Sequence, residues 1–355
     1  MYSLEDLGWS SRFQSDSETP TEDLIPARVA EERRGAYVLF SERGQLDATV
    51  AGRFMHNSAG RDDFPAVGDW VLARRLPGED RAVIQQVLPR RTTLSRKVAG
   101  ETTDEQIMAT NVDTVFLVAS LNAELNPRRI ERYLAVIWDS GARPVVILNK
   151  GDLAETPGTL ARDVEAVAPG VGVHVTSAVT GDGIEAVRRY LAPGQTVVFV
   201  GSSGVGKSSL VNRLLDGEVQ AVHDIRADDK GRHTTTSRQM LLVPGGGLII
   251  DTPGLRELQL WDAEEGMGRV FADIEDLAQE CGFADCQHRS EPGCAVQAAL
   301  DDGTLDLARL ESYRKLQREQ LFIESKKDYN LRIAQKKKWK QIHIANRQRM
   351  KTLGK

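Results

Sequence analysis

The chain has 355 residues, 41% of them apolar and 27% charged, with a net charge of −5, which suits a globular protein of two or three domains. No apolar run approaches the about 20 residues that span a bilayer, and no basic stretch followed by an apolar one opens the chain. A membrane protein and a secreted one are therefore not expected, and the cytoplasm is the default. The three cysteines all lie between 281 and 294, which argues against a disulfide framework and for a metal.

The net charge hides an asymmetry. Residues 326–355 hold eight Lys and three Arg against one acid, a net +10, whereas the preceding 325 residues carry 35 basic and 50 acidic side chains. An acidic body with a basic tail suits a nucleic-acid partner.

In chain order, residues 1–25 are polar and acidic without a sustained period, and a mobile extension is expected. Residues 26–95 break into short strand-like runs at 27–30, 36–40, 47–55, 69–74 and 81–87. Five such runs fit an N-terminal OB-type β-barrel. Arg33, Arg34, Arg53, Phe54 and His56 are its candidate RNA-binding residues, though an ordinary spacer barrel fits equally well. Residues 89–100 read as a basic connector.

Over 96–262 strand-like and helix-like runs alternate, predicting an α/β domain with a parallel, doubly wound sheet. A strand near 113–119 precedes Asn126-Pro127, a helix start with Asn as cap. The strand at 144–148 ends in Asn149-Lys150-Gly151-Asp152, which fits N-K-x-D. The Asp152 carboxylate can accept from both guanine N1–H and the 2-amino group, a donor pair adenine lacks. Lys150 would lay its stem along the base. After the strand at 171–175, Ser177-Ala178 would offer a backbone N–H to guanine O6.

The strand at 196–200 then leads into Gly201-Ser202-Ser203-Gly204-Val205-Gly206-Lys207-Ser208, a P-loop without substitution. Its backbone N–H groups and the helix N-terminus favour phosphate oxygens. Lys207 would reach the β- and γ-phosphates and Ser208 would coordinate Mg²⁺. The phosphate-side stretch is counted through Ser209. After the strand at 248–250, Asp251-Thr252-Pro253-Gly254 fits D-x-x-G, with Asp251 on Mg²⁺ through water and the Gly254 N–H on the γ-phosphate. Between the two lies His233-Thr234-Thr235-Thr236. One of these threonines, Thr235 by preference, would complete the Mg²⁺ shell. His233 would position water or contact a partner, or is simply a solvated loop residue.

Ordinary GTPases run P-loop, threonine, D-x-x-G, N-K-x-D, Ser-Ala, whereas here the last two come first. The order is that of a circularly permuted P-loop GTPase domain binding GTP or GDP. Downstream, within 263–325, Cys281-x₄-Cys286-x-His288-x₅-Cys294 supplies three thiols and an imidazole, a closed set for one structural Zn²⁺ in a helical module.

Barrel, permuted motifs and cysteine cluster together resemble the ribosome small-subunit-dependent GTPase family (RsgA type) from about residue 27 to 321. The cysteine and histidine positions match that family's cluster. The resemblance implies a GTPase assisting late maturation of the small ribosomal subunit, bound to its rRNA through the outer modules. A monomer is expected. Leu255 stands where many GTPases carry a water-orienting glutamine, so slow hydrolysis that a partner stimulates is expected. In the tail, 326–355, Trp339 and Ile342 interleave with basic residues, as in a helix lying on RNA phosphates, although a solvated charged face has the same composition. Two other readings are a GTP-gated switch on another RNA, with incidental hydrolysis, and an ATPase with a chance N-K-x-D.

Overall fold

The computed structural model describes residues 3–10, 13, 24–57, 60–97, 105–121, 125–217, 238–251 and 264–325. The early strand-like runs become β1 (Leu24–Arg33), β2 (Ala36–Ser41), β3 (Gly44–Val50), β4 (Trp70–Arg75) and β5 (Arg81–Val87). Alternate side chains such as Ala27, Val29, Leu39, Val71 and Ile84 fill their common interior. β1 pairs antiparallel with both β2 and β4, β2 with β3 and β4 with β5, while β3 and β5 run parallel. Those pairings close a five-stranded barrel, as expected.

Three local expectations need correction. The run at 47–55 is not one strand: β3 ends at Val50 and Gly52–Asn57 is helical, the Ala51 carbonyl accepting from the N–H groups of Phe54 and Met55. The basic connector instead forms β6 (Thr93–Lys97), paired antiparallel with β7 (Glu105–Thr110). Nor is the N-terminus a mobile extension over residues 3–10 and at Phe13. Leu7 and Phe13 are fully buried, and the Trp9 ring stands edge-on to Trp70 at 4.7 Å. The Arg28 guanidinium, itself buried, donates to the carbonyls of Leu7 (2.5 Å), Asn111 (2.9 Å) and Gly68 (3.3 Å). Burial lowers its pKa to about 10, and these three carbonyls take up its donors in place of water.

The second half of the sheet comprises β8 (Thr114–Ser120), β9 (Arg143–Asn149), β10 (Gly172–Val175), β11 (Thr196–Val200), β12 (Gln239–Leu242) and β13 (Leu248–Asp251). Their order is β10-β9-β8-β11-β13-β12, all parallel except β12. A single pairing of Glu31 with Gln239 joins β12 to β1, so barrel and domain share one eleven-stranded sheet. β8 packs on both faces: Val115 and Leu117 meet Ile130 and Leu134 of the helix Pro127–Asp139, while Phe116 and Val118 meet Val187 and Leu210. Asn126 caps that helix, its Oδ1 accepting from the N–H groups of Arg128 (3.0 Å) and Arg129 (3.2 Å).

The C-terminal helices Glu264–Val270, Ala272–Gln279 and Ala295–Asp301, with helical backbone over 307–325, dock on the outer side of Pro127–Asp139. Phe271, Ile274, Leu310 and Leu316 share its core. The approach is close: a Cβ on Gly266 would run into the Ala135 carbonyl. Among the described residues, no helix is long and apolar enough to cross a membrane.

Candidate active site

Four motifs meet at the carboxyl ends of four parallel strands. N-K-x-D follows β9, Ser177-Ala178 follows β10, the P-loop follows β11, and Asp251 ends β13. Pairing of β11 with both β8 and β13 sets the P-loop between the guanine-side motifs and Asp251.

The P-loop backbone takes conformations that only glycine adopts at ease. Gly201 and Gly206 have φ of 138° and 97°. A Cβ on the first would strike the Val118 carbonyl, and one on the second the Asn149 amide. Lys207 Nζ lies 2.7 Å from the carbonyls of both Gly201 and Ser202, folded across the loop. Ser203 and Gly204 are exposed at its crest, Val205 is buried beneath, and Ser208 and Ser209 sit in the first turn of the helix Lys207–Leu214.

On the guanine side, Asn149 is buried and braces three segments. Its Nδ2 donates to the Val205 carbonyl at 2.9 Å; its Oδ1 accepts from the Ala178 N–H at 3.1 Å and the Thr176 hydroxyl at 3.3 Å. The expected donors to guanine O6 are thus engaged: Ala178 N–H by Asn149, and Ser177 N–H by the Asp182 carbonyl at 2.9 Å. Lys150 turns the chain with φ 63°, and Asp152 is exposed in the short helical turn that follows. Thr235, His233, Gly254 and Leu255 lie outside the described residues, as does the basic tail.

Cys281, Cys286, His288 and Cys294 converge in the segment between the helices Ala272–Gln279 and Ala295–Asp301, their ligand atoms all within 4.8 Å of one another. The Cys281 and Cys294 sulfurs are 3.8 Å apart, and each lies 3.5 Å from His288 Nδ1. A tetrahedron with Zn–S of about 2.3 Å and Zn–N of about 2.0 Å has edges of about 3.8 and 3.5 Å. The residues fit zinc. Burial, with Arg314 beside it, lowers the His288 pKa and favours the neutral imidazole that ligates.

The barrel candidates are partly committed elsewhere. Arg33 pairs with Glu31 at 2.8 Å and Asp47 at 3.4 Å, Arg53 donates to Gln85 at 3.1 Å, and Phe54 packs edge-on to Phe64. Arg34 is exposed; the His56 side chain lies outside the described set.

A model of the RsgA GTPase family matches residues 87–261. The small ribosomal subunit biogenesis GTPase RsgA of Opitutus terrae is 48% identical over 99% of each chain. The chain belongs to the RsgA GTPase family. RsgA 1 of Oceanobacillus iheyensis is 44% identical, over 91% of this chain and 92% of its own. Among solved structures, YjeQ from Thermotoga maritima is 29% identical with a TM-score of 0.64, over 84% of this chain and 99% of that one. YloQ, described as a circularly permuted GTPase, shares the fold at 23% identity and a TM-score of 0.63, over 84% and 96%. As in YloQ, the RsgA fold of this chain is a permuted one.

Sequence reasoning placed Asn149 in the guanine-side motif and missed its bracing role, because its partners Thr176, Ala178 and Val205 lie far along the chain. It also passed over Arg129, whose NH1 reaches Ser202 Oγ of the P-loop at 3.1 Å. That contact joins residues 73 positions apart, and no local pattern marks it.

Proposed function

We propose that the chain is a GTP-hydrolysing enzyme of small ribosomal subunit biogenesis, which binds the subunit and couples hydrolysis to its own release. The observation that carries this is the convergence of N-K-x-D, Ser-Ala, P-loop and Asp251 on adjacent strand ends, with Asn149 tying guanine side to phosphate side. In this reading Asp152 and Lys150 read guanine, and Gly201 to Ser209 hold the phosphates. Ser208 and Asp251 hold Mg²⁺, with Thr235 and Gly254 closing on the γ-phosphate and His233 serving the switch loop. Mg²⁺, when bound, neutralises charge on the β- and γ-phosphates. Cys281, Cys286, His288 and Cys294 hold one structural Zn²⁺. The barrel, the zinc module and the basic tail are the surfaces that meet rRNA. The protein acts as a cytoplasmic monomer.

The test is GTP hydrolysis by the purified chain with and without small ribosomal subunits, at low and moderate salt. Stimulation that fades with salt is expected. Tight GTP binding without stimulation would move the assignment to a switch acting on another RNA.

A further inference from the structure

The helix Pro127–Asp139 opens off the carboxyl end of β8, beside the P-loop that follows β11. Three arginines stand in its first two turns, and two are charge-paired. Arg128 holds Glu131 at 2.6 Å and Asp306 at 3.1 Å. Arg132 grips Glu319 through both guanidinium nitrogens, at 2.6 and 2.8 Å. Arg129 is different. It is exposed, has no carboxylate partner among the described residues, and makes one side-chain hydrogen bond, to Ser202 Oγ at 3.1 Å.

Ser202 also receives Lys207 Nζ on its carbonyl at 2.7 Å. Two cations therefore meet at one residue of a loop built to hold phosphate. Four of the five guanidinium donors of Arg129 remain for an anion. Leu255, directly after D-x-x-G, offers no side-chain donor.

We infer that Arg129 is a catalytic arginine supplied in cis, turning from Ser202 onto the terminal phosphate of bound GTP. The inference rests on the GTPase reading above. In the reaction, the oxygen of water bonds to the γ-phosphorus as the bond to the β–γ bridging oxygen breaks, its electron pair remaining on GDP. The protons of water pass to the inorganic phosphate and solvent. Charge grows on the bridging and terminal oxygens, and a guanidinium there stabilises the transition state more than the ground state. Arginine does this in other GTPases, from the same chain or from a partner.

The experiment compares wild type, Arg129→Ala, Arg129→Lys and Arg128→Ala in the full chain. Turnover is followed with subunits, and binding of GDP and of a non-hydrolysable GTP analogue is measured without them. Arg129→Ala should lower kcat roughly ten- to several-hundredfold and weaken the analogue at least about fivefold more than GDP. Lysine at 129 should restore part of both. Arg128→Ala loosens Glu131 and Asp306 and lowers stability, but it should leave the ratio of the two binding constants as in wild type, since neither partner touches the P-loop. Unchanged kcat in Arg129→Ala, or equal weakening of GDP and analogue, would overturn the inference and leave Arg129 as a brace of the P-loop. Because the two binding constants need no turnover, a wild type that binds GTP without hydrolysing it would defeat the GTPase reading while still judging Arg129.

Discussion

The Glu131 carboxylate, with no exposed surface, accepts hydrogen bonds from Arg128 and the Ser312 hydroxyl, both at 2.6 Å, and from Arg309 at 2.9 Å. Arg309 in turn holds Asp273 at 2.6 and 2.8 Å and the Val270 carbonyl at 2.8 Å. Burial works against the Arg309 charge, but Asp273 and Glu131 outweigh it and raise its pKa. The cluster ties the helix beside the P-loop to the C-terminal module. Removing one member leaves the buried charges only partly paired, a loss of up to about 3–5 kcal/mol. Glu131→Ala should show that loss as a lower denaturant midpoint, and Glu131→Gln a smaller one. An unchanged midpoint would mean that the module undocks without loss.

Asn149→Ala strands the Val205 carbonyl and the Ala178 N–H. Each buried group left unsatisfied costs about 1–3 kcal/mol, and both border the nucleotide site. GDP affinity by calorimetry should fall by about tenfold or more, with faster amide exchange at Ala178, whose N–H Asn149 holds. Asn149→Asp should do no better, because a carboxylate oxygen would then face the Val205 carbonyl. Full affinity in either variant would show that the brace is dispensable.

One zinc per chain is expected by elemental analysis. Its ligands must be deprotonated, so retention should decline as pH falls. Chelation should melt the helices between 264 and 325, and Cys294→Ser should do the same without chelator. A metal-free chain with these helices intact would assign the cluster to packing alone.

His174 Nε2 lies 2.9 Å from the Tyr190 hydroxyl, and burial, with Arg189 second, lowers its pKa. The folded chain therefore resists a proton that the unfolded chain accepts. Its contribution is fully present above the unfolded value, about 6.5, and is lost as pH falls from there towards the folded value. A His174→Gln variant should lose less stability than wild type over that interval. Parallel pH profiles would show that His174 titrates alike in both states.

What was legible in the sequence was local. The P-loop, N-K-x-D and the Cys-x₄-Cys-x-His spacing are short patterns whose chemistry fixes their residues. The barrel strands announced themselves by alternation and by turns between them. What escaped depends on distant partners. Leu7 and Phe13 occupy no periodic pattern, and their burial is decided by Trp70 and Arg28. Glu131 reads as an exposed helical acid until Arg309 and Ser312, 178 and 181 residues later, arrive over it. Residues 93–97 read as a basic connector because their composition is basic and polar, and only their pairing with 105–110 makes them a strand.

The strand order β10-β9-β8-β11-β13-β12 has a consequence for the growing chain. β8 is made first and lies inside the sheet; β9 and then β10 add on one side, and β11 followed by the β12–β13 hairpin on the other. No strand has to slip between two that are already paired. During synthesis the guanine-reading half is complete before the P-loop has been translated, and the phosphate half assembles against it as a finished template.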